Sequence, residues 1–139
     1  LPQTVYSDKH CNGPLGPLFF MSHNQAIGKF GENLAKKYLI RHDYKIIDSN
    51  VKLSYQELDI VARQDDLTVF VEVKTRISQI YGSAEEAFAF TKSERFRRGI
   101  EMFIKNHKIS ADNIRADLIT VDINRLNKTA RIKHFKDII

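Results

Sequence analysis

The sequence lacks the features that mark secreted, membrane-spanning or cysteine-ligated proteins. Its 139 residues include a single cysteine, Cys11, which excludes an intrachain disulfide and a cysteine-rich zinc site. No apolar run approaches the ~18–20 residues needed to cross a bilayer. The histidines have no metal-ligand spacing, and there is neither a P-loop nor a dinucleotide-binding fingerprint. We therefore expect a water-soluble, cytoplasmic protein without a histidine metal site.

The composition is that of one ordinary globular domain. Hydrophobic residues make up 42% of the chain and charged residues 28%, as is usual for a domain of ~100–150 residues with one core. Lysine and arginine outnumber aspartate and glutamate by 22 to 17, which gives a formal net charge of +5. This excess weakly favours a polyanionic partner such as nucleic acid.

Residues 1–21 differ from the rest of the chain. They hold all three prolines and two of the six glycines, and they show neither helical nor strand periodicity. We expect residues 1–21 to form a flexible leader that is not part of the fold. One domain should then cover residues 22–139.

The hydrophobic periodicity of residues 22–139 predicts an α/β protein. Capping boxes, in which a serine or threonine precedes a glutamate or glutamine by three residues, predict helix starts at 22, 83 and 91. Alternating apolar residues predict strands, and the letters QDD predict a hairpin turn between two of them. The predicted elements are a helix at 22–41, strands at 44–53, 57–63 and 67–74, a short and a longer helix from 83 and 91, and strands at 116–123 and 131–135.

Two neighbouring predicted strands carry charged residues where aliphatic residues are expected. In VFVEVKTR (69–76), Glu72 and Lys74 share a face with Phe70, because side chains two apart in a strand point the same way. In QELDIVA (56–62), the same alternation places Asp59 on one face, and Leu58 with its even-numbered neighbours on the other.

A divalent cation explains this pattern of charges. If the QDD turn forms, the carboxylates of Asp59 and Glu72 converge, which costs solvation and repulsion unless a cation lies between them. Mg²⁺ prefers such oxygen pairs, with water and substrate phosphate completing its shell. Lys74 would then hold or polarise an attacking water.

Simpler explanations remain open for each of these residues. An E-x-K triplet in a strand is commonly a solvated ion pair, and Glu32, on the flank of the first helix, is ordinarily a solvated acid. Lys92 either extends past the core to solvent or points into the site. Arg95, Arg97 and Arg98 suit a solvated helix face, although that face is compatible with contacts to phosphate.

Four motifs in order resemble a known family. They are GKFGE (28–32), QELDIVA (56–62), VFVEVKTR (69–76) and YGSAEEAF (81–88) followed by Lys92. Together they resemble the YraN-like family of uncharacterised bacterial proteins, over about residues 24–123. That family is similar to the PD-(D/E)XK nuclease superfamily and to archaeal Holliday junction resolvases. The chain departs from the family pattern at Gln56, where a glycine is usual.

The resemblance implies a restriction-endonuclease-like αβββαβ core, with a mixed central sheet flanked by helices. It implies that Asp59 and Glu72 bind the metal, Mg²⁺ or Mn²⁺, and that Lys74 and Glu32 complete the catalytic set. The remaining basic candidates, for contacts with nucleic acid, are Arg76, Lys92, Arg95, Arg97 and Arg98.

The expected function is therefore metal-dependent DNA endonuclease activity. Branched DNA such as Holliday junctions is the substrate that the resemblance suggests, and symmetric cutting of a junction would require a homodimer. The alternative is a nucleic-acid-binding module whose nuclease-like site is catalytically silent.

Overall fold

A mixed β-sheet carries one helix on each face. The computed structural model describes residues 3–8, 24–77, 90–126 and 128–139. Along the chain, the elements are β1 (Gln3–Asp8), α1 (Asn24–Arg41), β2 (Lys45–Leu53), β3 (Gln56–Gln64), β4 (Leu67–Ile77), α2 (Phe90–His107), a short 3₁₀ turn (Ala111–Asn113), β5 (Ile114–Asn124) and β6 (Thr129–Phe135). From α1 to β5 this is the αβββαβ order expected from the sequence.

The sheet has the strand order β1-β6-β5-β4-β3-β2. β4 and β5 are parallel, and every other neighbouring pair is antiparallel. The connection through α2 is what allows β4 and β5 to run in the same direction, since a parallel pair needs a long crossover. The QDD turn forms as predicted, with Gln64 paired to Leu67 and Asp65 at a φ of 52°.

Helix α1 covers one face of the sheet. Its apolar stripe recurs every three or four residues, and the alternation in β4 places Val69, Val71 and Val73 beneath it. The helix ends where Asp43 adopts a left-handed φ of 66° and the Tyr44 N–H donates to the Leu39 carbonyl at 3.0 Å. The buried residues of this core are Phe30, Leu34, Ala35, Tyr38, Leu39, Tyr44, Ile60, Ala62, Val69, Val71, Ile119, Val121, Ile123, Ala130 and Ile132.

Helix α2 covers the opposite face. Phe70, which alternates with the three valines of β4, points to this side, and its ring meets that of Phe103 edge-on at 5.4 Å. The buried residues of this second core are Leu53, Leu58, Val61, Phe70, Phe96, Ile100, Phe103 and Ala116. The two cores bury the apolar side chains of β3 and β4, and the charged side chains of these strands belong to neither core.

The leader expected at residues 1–21 needs correction in part. Gln3–Asp8 form β1, which pairs antiparallel with β6, from Gln3 opposite Phe135 to Asp8 opposite Ala130. Its β-branched and aromatic residues suit a strand, and the pairing covers an edge of β6 that would otherwise be unpaired. Residues 9–23 and the short helix expected from 83 lie outside the described residues.

A buried polar cluster stabilises the far end of the sheet. Asp117 is fully buried and accepts hydrogen bonds from Arg115 through both carboxylate oxygens, each at 2.8 Å, and from the Asp137 N–H at 3.0 Å. His134 Nε2 lies 2.8 Å from the same carboxylate, and Arg115 also donates to the Tyr44 hydroxyl. Burial would raise the pKa of Asp117, but these partners lower it below its ordinary value.

Among the residues that the structure describes, no helix is long and apolar enough to cross a membrane.

The close approach of α1 to β4 depends on Gly31. A Cβ at this buried position would lie 2.7 Å from the Thr75 Cβ, whereas a Cβ at Gly28 would meet nothing within 4 Å. We predict that Gly31→Ala lowers the free energy of unfolding by about 1–3 kcal/mol through overpacking. Gly28→Ala, the matched control, should raise it by about 0.5–1 kcal/mol through helix propensity. Urea titration of both variants measures this, and equal effects would contradict the packing.

Candidate functional site

A groove of about 570 Å³ lies where β4 emerges from between the two helices. It gathers charged residues from three separate elements: Glu32 from α1, Asp59 from β3, and Glu72 and Lys74 from β4. The full lining is Ile27, Gly28, Glu32, Asp59, Glu72, Val73, Lys74, Thr75, Arg76 and Ile77. All four residues expected to be catalytic therefore meet in one groove, together with Arg76.

The strands β3 and β4 separate at this groove. Their pairing ends at Ile60 and Val71. The Val73 N–H, two residues further along β4, donates instead to Asp59 Oδ2 at 2.8 Å. A side-chain carboxylate thus takes a position that a strand carbonyl would fill in a continuous ladder, and it ties the two acid-bearing strands together.

The alternation of β3 changes at Asp59. Leu58 packs in the core beneath α2, whereas Ile60 and Ala62 pack in the core beneath α1. The expectation that Leu58 shares a face with these neighbours is therefore wrong. The change coincides with an interruption of the β2–β3 ladder: Ser49 pairs with Ile60 and Val51 with Leu58, whereas Asn50, between them, has a left-handed φ of 51°.

Asp59 lies in an unfavourable environment for a negative charge. The pKa of its carboxyl group is raised from 3.8 to about 6, mainly by burial and also by the nearby charges of Glu32 and Glu57. Hydrogen bonds with the Val73 N–H and with Glu72 oppose this rise. The site therefore concentrates carboxylates at a cost that a bound cation would remove.

The donor chemistry of the groove fits a magnesium ion. Asp59 and Glu72 supply hard carboxylate oxygens that are close enough to hydrogen-bond with each other. Among the described residues, no three histidine, cysteine, aspartate or glutamate side chains are grouped so that together they could hold a metal ion. The pair of carboxylates suits Mg²⁺, which binds through one or two carboxylates and keeps several waters, better than a structural zinc ion, which takes four protein ligands.

Asn50 was not recognised from the sequence. Its Nδ2 donates to Glu32 Oε2 at 2.8 Å, so that β2 orients the α1 carboxylate at the groove. The available signal is an asparagine in the middle of a predicted strand, where this residue type is depleted. Such a residue indicates an irregularity, but its partner in α1 becomes visible only in the folded chain.

The basic residues of α2 do not act as one group. Arg95 lines a cleft next to Glu72, whereas Arg97 lines a separate cavity of about 270 Å³ at the beginning of β5. Arg98 lies 3.6 Å from Glu94 on the solvated helix surface. The side chain of Lys92 lies outside the described residues. Of these candidates for nucleic-acid contacts, the structure brings Arg95 to the acids and separates Arg97 from them.

Comparison with known proteins gives consistent matches to one family. The profile of the family described as "Uncharacterised protein family UPF0102" matches residues 31–121, which include all four residues of the predicted catalytic set. A UPF0102 protein of Clostridium beijerinckii is 37% identical over 114 residues, which are 82% of this chain and 93% of that protein. A UPF0102 protein of Caldicellulosiruptor bescii is 39% identical over 113 residues, covering 80% of this chain and 94% of the relative.

The raised pKa of Asp59 predicts a pH-dependent stability. An acid whose pKa is higher in the folded state stabilises the fold below its unfolded pKa, and this contribution is lost as the pH rises through the folded value. Between pH 4 and pH 7, the wild-type protein in EDTA should therefore lose about 1–3 kcal/mol relative to Asp59→Asn, given ~1.4 kcal/mol per pKa unit.

Urea titrations across this pH range measure the difference. Asp66→Asn, in the exposed β3–β4 turn, is the matched control and should follow the wild type at every pH. A difference between wild type and Asp59→Asn that stays constant with pH would show that the carboxylate is not destabilised in the fold.

Proposed function

The chain belongs to the uncharacterised protein family UPF0102, and from the geometry of its groove we propose that it is a metal-dependent DNA endonuclease that hydrolyses phosphodiester bonds. One observation carries this proposal. Glu32, Asp59, Glu72 and Lys74 come from three separate elements and line one groove, although the fold gains no stability from bringing the acids together.

The acids divide into metal ligands and a supporting residue. Asp59 and Glu72 would hold Mg²⁺ or Mn²⁺, because their carboxylates are in contact at the point where β3 and β4 separate. Glu32, which Asn50 orients, would act through water at the edge of the same site. Bound there, the ion would polarise the scissile phosphate and lower the pKa of a water molecule.

The cations of β4 complete the chemistry. Lys74 follows Glu72 on the same strand and lines the same groove, so its ammonium group would hold the attacking water and the negatively charged phosphate oxygens. Arg76, one further step along the groove, would hold a neighbouring phosphate. Hydrolysis would join the water oxygen to phosphorus, break one P–O ester bond and pass a proton to the departing oxygen.

The substrate and setting are further parts of the proposal. Branched DNA such as a four-way junction is the candidate substrate that follows from the resemblance to junction resolvases. Symmetric cutting of such a junction would need a homodimer, because one groove of this size reaches one strand. We propose that the protein acts on this DNA in the cytoplasm.

Amide variants of the acids should separate catalysis from binding. We predict that Asp59→Asn and Glu72→Gln lower Mg²⁺-dependent cleavage by about 100-fold or more, because each removes a metal ligand. DNA affinity in EDTA should persist or rise, since a negative charge near the phosphates is removed. Lys74→Ala should abolish cleavage and also weaken binding.

The measurement is cleavage of labelled branched, linear and single-stranded DNA with Mg²⁺ or Mn²⁺, alongside binding titrations. Asp66→Asn and Glu101→Gln, both on exposed surfaces outside the groove, are the matched amide controls and should cleave at the wild-type rate. Cleavage by purified Asp59→Asn and Glu72→Gln at the wild-type rate would contradict the assigned site. If the wild-type protein binds DNA tightly but cuts none of the substrates, the alternative holds: the protein is a nucleic-acid-binding module with a catalytically silent site.

A further inference from the structure

A second cleft adjoins the groove and shares Glu72 with it. This Tyr55 cleft has a volume of about 230 Å³ and lies between the β2–β3 turn and α2. Its lining is Tyr55, Gln56, Glu57, Glu72, Arg95 and Phe96. Because the two cavities share a proposed metal ligand, whatever occupies the Tyr55 cleft lies directly beside the proposed point of cleavage.

Tyr55 is exposed to solvent and packs in neither hydrophobic core. It occupies the two-residue turn between Leu53 and Gln56, where small polar residues are usual, and the preceding Ser54 has a left-handed φ of 57°. The Tyr55 side chain is 98% exposed, so it contributes no buried apolar area to either core. An exposed aromatic ring on a short, hydrogen-bonded turn is a stacking surface held in place by the sheet.

Gln56 adds a second unexplained group. Its Oε1 is buried and accepts no hydrogen bond, which costs free energy, and the residue lines the cleft. Nearby, Gly99 lets α2 approach β3 closely, since a Cβ at Gly99 would lie 3.0 Å from the Leu58 Cδ2 and 3.5 Å from the Gln56 Cβ. The cleft therefore lies beside a close contact between α2 and β3.

The charges of the cleft favour a nucleobase over a phosphate. Glu57 and Glu72 are acceptors that repel a phosphate group, whereas every nucleobase carries amino or imino N–H donors that carboxylate and amide oxygens can accept. Arg95, on the α2 side, can contact the flanking phosphate or stack on the ring.

We propose that the Tyr55 cleft binds one unpaired DNA base, stacked on the Tyr55 ring, next to the phosphate that is cut. This inference rests on the proposed endonuclease function and narrows its substrate. A base inside an intact duplex is stacked on its neighbours and cannot reach the ring. The substrate is therefore DNA with an unpaired nucleotide at the cleavage point, as at a flap, a branch or a single-stranded segment.

Binding of DNA without cleavage tests this assignment. A single-stranded oligonucleotide that carries the fluorescent base 2-aminopurine, and a blunt duplex of the same sequence, are titrated in EDTA with the full-length protein. Tyr55→Ala should bind the single strand about tenfold or more weakly than the wild type and should lose the fluorescence quenching that stacking causes. Tyr55→Phe should retain both, because it keeps the ring.

The duplex and a surface control complete the design. Duplex affinity should be the same for wild type and Tyr55→Ala, and Ile40→Ala, an exposed residue of α1 outside the cleft, should change neither affinity. The inference is overturned if Tyr55→Ala binds the single strand as tightly as the wild type or loses single-strand and duplex binding equally. Absence of single-strand binding by the wild type, or tighter binding of the matching RNA, would also overturn it.

The two proposals fail in different ways. Stacking at Tyr55 without cleavage by the wild type in Mg²⁺ would refute the endonuclease activity and leave the base-binding cleft standing. Cleavage that depends on Asp59 but is indifferent to Tyr55→Ala on single-stranded and flap substrates would refute only the cleft.

Discussion

The hydrogen bond from the Val73 N–H to the Asp59 carboxylate is the contact on which the site depends. It occurs where β3 and β4 stop pairing, and it keeps the strands together after their backbone ladder has ended. Without it, the separation of the strands would expose an unpaired donor and leave Asp59 free to turn to solvent. With it, the carboxylate stays beside Glu72. Asp59 therefore both connects β3 to β4 and lines the groove.

The same arrangement places a buried carboxylate near other acids, which lowers the stability of the fold when Asp59 is charged. The two hydrophobic cores offset this loss. Asp59 is buried near Glu32 and Glu57, so its charged form is disfavoured. Asp117, in contrast, is buried against Arg115 and His134, which stabilise its charge. The comparison separates two uses of a buried acid. The satisfied acid links β5 to β6, whereas the crowded acid would be stabilised in its charged form by a bound cation.

Much of the fold could be predicted from the sequence because the relevant signals are local. The valines around Phe70 alternate regularly, and the QDD turn places Asp59 next to Glu72 as expected. The side of the sheet on which Leu58 packs could not be predicted, because the strict alternation of β3 breaks at Asp59, beside the left-handed Asn50 of the neighbouring strand. β1 was missed for a similar reason: its short run of strand-forming residues is stabilised by the distant β6.

A divalent cation held by Asp59 and Glu72 is the central claim, and manganese offers the most direct measurement. Crystals of the full-length protein grown with Mn²⁺ should show an anomalous difference peak within coordination distance of both carboxylates. The peak should vanish in crystals of Asp59→Asn prepared in the same way. Manganese bound elsewhere with none between Asp59 and Glu72, or a peak there that survives the loss of Asp59, would contradict the account.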